Sequence, residues 1–101
     1  MLIQSGVFRL KSDCPSETKH GSLSTFTRFD FPCPFLPGSK VAVLVTMQTF
    51  NGCHSPGLRV ADVTPTGFKI RENEIVAQGQ GALSDGVHLS EGIAWLAFVI
   101  H

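Results

Sequence analysis

Charge is scarce in this sequence. Only 16% of its 101 residues are Asp, Glu, Lys or Arg, against roughly 25% in an average globular domain. The basic and acidic residues, eight of each, cancel to a formal net charge of zero. A neutral chain without a basic run has no long-range attraction for DNA or RNA, nor for an anionic membrane surface. Nowhere do about 18 apolar residues follow one another, so no membrane-spanning helix is expected. The opening Met1-Leu2-Ile3-Gln4-Ser5-Gly6 has neither a basic start nor a long apolar stretch, so no secretory signal is expected in this chain. That leaves a protein made in a cytosol, a virion component released by lysis, or an excised domain. Cysteine is sparse too. Cys14, Cys33 and Cys53 are too few for a disulfide scaffold. Their odd number leaves at least one free or paired between chains, and small buried or half-buried thiols are expected.

Catalytic signatures are also missing. The sequence holds no GxSxG, P-loop, HExxH or dinucleotide-binding fingerprint. Cys53 and His54 are neighbours, but in an extended segment adjacent side chains point to opposite faces, and a catalytic pair is a matter of spatial geometry. Cys33, Cys53, His54, His20, His88 and His101 lack the CxxC or HxxxH spacings of a zinc site. Glu72 and Glu74 are two apart and share a face if their segment is a strand; a solvated edge is expected for them. No catalytic residue, metal or cofactor is therefore assigned.

What the sequence does contain is β pattern. A hydrophobic fraction of 43% excludes intrinsic disorder, and the length suits one domain spanning 1–101. Residues 41–50, Val-Ala-Val-Leu-Val-Thr-Met-Gln-Thr-Phe, are rich in β-branched side chains and bounded by Gly38 and Asn51-Gly52. Residues 93–100 form a nearly all-apolar run, short for a helix and read as a buried strand. Residues 23–31 alternate, and Pro32, Pro34 and Pro37 then stop them. Shorter strands are expected at 58–63 and 68–71, joined by the turn Thr64-Pro65-Thr66-Gly67, with a weaker one at 3–10. Asn73 to Leu83 has room for one helical turn, and Gly79 and Gly81 argue against more. Residues 77–92, with Gly79, Gly81, Gly86 and Gly92, are expected to form the longest loop, a common place for function on a β scaffold. About six short strands imply an antiparallel β-sandwich.

Two residues stand out on these strands. Trp95 lies mid-run with Ile93 and Ala97 on its own face, which marks it as core rather than a sugar platform. Arg59 projects opposite to its neighbours Leu58 and Val60, and its planar fork of donors suits a diol or carbonyl. A plain exposed arginine, or one paired with Asp62 or a neighbouring subunit, is the alternative.

From Arg59 outward the sequence resembles the H-type lectin domain, the family of snail agglutinins and of the C-terminal domain of discoidins. The matching pieces run in order: Gln4-Ser5-Gly6, Cys14, Phe31-Pro32-Cys33-Pro34-Phe35, the apolar strand from Lys40 to Thr46, Leu58-Arg59-Val60, Val63-Thr64-Pro65-Thr66-Gly67-Phe68, and Gly92-Ile93-Ala94-Trp95-Leu96-Ala97. The resemblance implies a six-stranded antiparallel β-sandwich that forms a homotrimer or hexamer and binds galactose-type or N-acetylgalactosamine glycans between subunits. The Arg of Leu-Arg-Val, here Arg59, is a sugar-binding residue in that family. The sequence departs from the family where Gly21-Ser22-Leu23 replaces a Gly-x-Asp loop and where no Trp-His pair stands near Ile75-Val76. It lacks the Cys that would bridge Cys14, is shorter between Arg59 and Pro65, and is longer over 77–92. A retained scaffold with altered sugar specificity is the expectation.

The expected function is a carbohydrate-binding module for adhesion or host recognition, acting outside the cell or on a virion surface. Its sugar-binding residues would be Arg59, Ser22 at the position of the family's loop, and Gln80, Asp85 and His88 from the Gly-rich stretch. A structural trimerisation or attachment module, as in a phage tail fibre, is the second expectation. Low charge agrees with either, since a small domain this poor in charge covers part of its surface with another subunit.

Overall fold

The computed structural model describes residues 2–12, 21–51, 56–74 and 88–101. These residues form six strands and no helix: β1 (Ile3–Ser12), β2 (Thr27–Asp30), β3 (Val41–Met47), β4 (Pro56–Thr64), β5 (Gly67–Glu74) and β6 (His88–Val99). Among them, no helix is long and apolar enough to cross a membrane. The strands make two antiparallel three-stranded sheets, in the orders β1-β6-β3 and β2-β5-β4.

Local chemistry sets most strand ends. The turn at Pro65-Thr66 joins β4 to β5, as its proline predicts. It is tied down by Phe31 N–H to the Thr66 carbonyl and Phe35 N–H to the Pro65 carbonyl, both 2.9 Å. Near its end β4 carries a bulge between Ala61 and Thr64. Asp62 occupies it with φ of 51°, a left-handed conformation that Asp tolerates better than most residues.

Several boundaries differ from the sequence expectation. β6 starts at His88 rather than Ile93, so residues 88–92 are strand and not loop. The reason is long-range: β1 runs on to Ser12 and supplies ladder partners for Gly92, Glu91 and His88. The chain after β3 also pins this end. Thr49 Oγ1 and the Asn51 N–H donate to Glu91 Oε1 at 2.8 and 2.9 Å, and Gly92 N–H donates to Thr49 Oγ1 at 2.8 Å. Those same bonds turn the chain after Met47, so β3 ends there and Phe50 is left exposed. β2 spans four residues rather than 23–31, because Phe26 N–H bonds back to the Leu23 carbonyl in a turn. Asn73 and Glu74 continue β5 instead of opening a helical turn; residues 75–83 lie outside the described residues.

The inner faces of both sheets feed one core. β6 contributes Ile93, Trp95 and Ala97, β5 contributes Phe68 and Ile70, and β1 contributes Leu10; Phe31 and Phe35 close the cluster. Aromatic rings join the two sheets. Phe29 of β2 stacks on Phe8 of β1 at 4.7 Å and meets Trp95 of β6 at 5.1 Å, distances at which ring pairs add to plain area burial. Trp95 is core, as its sequence neighbours imply. Gly6 lies opposite it in the ladder, and a Cβ there would stand 2.9 Å from the indole nitrogen. Glycine at position 6 is what lets the ring lie flat across β1.

The outer face of β1-β6-β3 is apolar as well. Register aligns Ile3, Phe98 and Ala42 in one row, and Ser5, Leu96 and Leu44 in the next, with Val7, Ala94 and Thr46 beyond. Ile3, Val7 and Leu44 are each about 60% exposed (59%, 65% and 60%). This face has no cover within the described chain.

Candidate functional site

Strand alternation builds the second sheet's two faces. Leu58 and Val60 of β4 turn inward, against Glu72 and Ile70 of β5. Arg59 between them turns outward and is exposed. It faces Arg71 directly across the ladder, and Ala61 faces Lys69. Lys69 in turn faces Arg28 of β2, and Asp30 faces Gly67. The outer face therefore carries three cationic residues, Arg28, Arg59 and Lys69, with Asp30 and Asp62 as its acids, and Arg71 shares their register but is buried.

These cations are held differently. Arg28 is anchored: its Nε lies 2.9 Å from Asp30 Oδ1, and its Nη2 donates to Thr66 Oγ1 at 2.8 Å. Lys69 Nζ is 4.0 Å from Asp62 Oδ2, a loose surface pair of the kind worth about 0–1 kcal/mol. Arg71 is buried. Arg59 makes no hydrogen bond or ion pair with another described residue, neither with Asp62 nor elsewhere. Its donors point to solvent from a rigid strand.

The other expected sugar-binding residues are less closely placed. Ser22 is half-buried in the segment before β2, the strand that β5 separates from β4 in the sheet order. Ser22 makes no described hydrogen bond with Arg59. His88 opens β6. Gln80 and Asp85 lie outside the described residues, as do Gln78, Cys14, Cys53, His20 and His54. Among the described residues no three His, Cys, Asp or Glu side chains converge as a metal site.

Two expectations are corrected here. Glu72 is not on a solvated edge: it is 1% exposed, because it continues the inward series Phe68, Ile70, Glu72. Cys33 is a free thiol as allowed, but it is exposed rather than buried, since the proline-flanked segment holding it runs outside the sheets. Sequence reasoning also missed a polar cleft of about 190 Å³ between the end of β1 and the start of β2. Ser12, Thr25, Thr27 and Glu72 line it, with Lys11 and Arg71. The strict alternation from Phe68 to Glu72 was the signal that pointed Glu72 inward. No family model matches this chain, and no curated protein and no solved structure is significantly similar to it.

Proposed function

We propose that this chain is a non-catalytic carbohydrate-binding module whose contact residue is Arg59, built as a six-stranded sandwich of H-type lectin character and assembled as a homotrimer. One observation carries the reading. The Arg of Leu58-Arg59-Val60 stands exposed and without a described partner on the outer face of a sheet, at the position the resemblance gives to a sugar-binding arginine. A guanidinium of this kind donates several hydrogen bonds in a fixed plane, which suits vicinal hydroxyls. The topology of two three-stranded antiparallel sheets around one core supports the sandwich. The module would work outside the cell or on a virion surface, in adhesion or host recognition.

A glycan array of the purified protein tests this. Selective binding to terminal galactose-type or related sugars is the expected result. Arg59→Ala should weaken that binding by about tenfold to a hundredfold, the worth of roughly 1.5–3 kcal/mol for hydrogen bonds to a charged group. The circular dichroism spectrum should not change, because the side chain is exposed. Unchanged affinity would remove Arg59 from the site.

The bare apolar face of β1-β6-β3 favours assembly, and it equally supports the second reading, a structural trimerisation module without a sugar. Three binding sites in one particle would raise weak affinity through effective concentration. Leu44→Arg puts like charges into this face and should convert the oligomer to a folded monomer by light scattering. Oligomer mass that survives this change would place the interface elsewhere. A stable trimer with a blank array would shift the weight to the structural reading.

A further inference from the structure

We propose that β3 is a docking edge for a second copy of this chain, the two β3 strands pairing antiparallel across a two-fold axis into one continuous sheet; the carbohydrate-binding reading is not needed for it. The two sheets leave four edges, β1, β3, β2 and β4. An open edge invites another strand, and proteins blunt such edges with charge, proline, a bulge or shortness. Three of the four are blunted here. β1 carries Arg9 and Lys11 and a bulge between Leu10 and Ser12. β2 has four residues, among them Arg28 and Asp30. β4 starts on Pro56, carries Arg59 and Asp62, and bulges between Ala61 and Thr64. β3, Val-Ala-Val-Leu-Val-Thr-Met, has no charge, no proline and an unbroken register against β6.

Hydrogen bonding fixes which groups β3 offers. Ile100 N–H donates to the Lys40 carbonyl and Gln48 N–H to the Gly92 carbonyl, both at 2.8 Å. Bonded pairs recur at every second residue of an antiparallel ladder, so Ala42, Leu44 and Thr46 turn their backbone groups to β6. Val41, Val43, Val45 and Met47 turn theirs to the open edge, where no described strand pairs with them. A two-fold axis at Leu44 sets Val41 against the partner's Met47 and Val43 against the partner's Val45, so outward groups meet outward groups along the whole strand. Leu44 meets the partner's Leu44 and Lys40 meets the partner's Gln48, so no like charges are opposed. Burial points the same way. The fully enclosed core residues come from β1, β5, β6, Phe31 and Phe35, whereas the inward Val41, Val43, Val45 and Met47 of β3 and Leu58 and Val60 of β4 are only partly buried. The core is least closed along this side, and a copy docked on β3 covers it.

Amide hydrogen exchange followed by NMR tests this on the unaltered chain. The N–H groups of Val41, Val43, Val45 and Met47 should be protected in the assembled particle and should lose that protection on dilution to single protomers. Those of Ala42, Leu44 and Thr46, bonded to β6, should stay protected in both. Light scattering should give an even multiple of the protomer mass: a dimer, or a hexamer where a three-fold contact operates as well. Val43→Pro removes one outward N–H and leaves the β3–β6 ladder bonds in place, so it should halve the particle mass without changing the circular dichroism spectrum. Should that variant unfold, the exchange pattern of the unaltered chain decides alone. Outward amides that exchange freely in an assembled particle overturn the proposal, as does a folded Val43→Pro variant of unchanged mass. Protection that persists in the lone protomer also overturns it, since the chain itself would then hold the edge. A chain that stays a single protomer at every concentration overturns it too, and leaves β3 to an extended peptide of another protein.

Discussion

Phe68→Ala should lower the unfolding free energy by about 3–5 kcal/mol, the largest loss expected from any single truncation in this core. Phe68 is fully buried, and its ring meets three others, Phe8, Phe29 and Phe31, at 6.4, 5.3 and 5.8 Å. It is therefore a joint between β5, β2 and β1 as well as an apolar mass. Removing it costs the transfer free energy of the ring plus the cavity it leaves. That cavity cannot collapse easily, because Ile70 and Ile93 of the same core cluster are themselves fully buried and held in ladders. A domain of this size has about 5–15 kcal/mol in total, so the variant loses about a fifth or more of its stability. Urea unfolding followed by circular dichroism should show a midpoint lower by roughly 1–5 M, given the usual slope of about 1–3 kcal/mol/M for small proteins. A shift corresponding to less than about 1 kcal/mol would mean that the aromatic joint does not organise the core.

Of Gly6, Gly21, Gly38, Gly67 and Gly92, Gly67 should be the most damaging to replace with alanine. An added Cβ would stand 2.2 Å from the Phe29 carbonyl oxygen and 3.0 Å from the Asp30 Cα. Both are backbone, so no side-chain rotation relieves the overlap. β2 has only four residues and four partners in β5, so it must move away and take the Phe29 ring with it. The cost should lie at or above the top of the 1–3 kcal/mol range typical of overpacking. Gly38 makes the comparison. It has φ of 86° but nothing within 4 Å of an added Cβ. Gly38→Ala should cost only the left-handed penalty of about 1–2 kcal/mol. If Gly38→Ala proves the worse of the two in thermal unfolding, the tight β2–β5 contact is not what constrains position 67.

Much of this architecture was legible because it is local. The β-branched run at 41–47 and the apolar run at 93–99 could hardly be anything but strands. Pro65 marks its turn unaided, and the isoleucine and alanine beside Trp95 marked it as core. What stayed hidden depends on partners far away in sequence. Glycines at 86 and 92 speak for a loop, yet β6 reaches back to His88 because β1 is long enough to pair with it. Glu72 carries a surface residue's identity and a core position's parity, and parity wins because the ladder fixes which face each residue shows. The cationic outer face was equally invisible. Arg28, Arg59 and Lys69 are spread over more than forty residues, and only the register of three strands sets them side by side. Arg59 alone could be singled out beforehand, since its inward-facing neighbours Leu58 and Val60 settle its direction.

The enclosure of Trp95 has an optical consequence. It is the only tryptophan, and the chain has no tyrosine, so ultraviolet emission from this protein comes in effect from one indole. That indole sits against Phe29 and Phe31 at the meeting of both sheets. Its emission should be blue in the folded chain, shielded from acrylamide, and should redden only when the sheets part. A ligand settling on the outer face beside Arg59 would leave it dark to that event. The protein thus carries a built-in lamp that reports on the integrity of its core and is blind to its surface, so an unchanged emission shows that a variant altered at Arg59 has kept its fold.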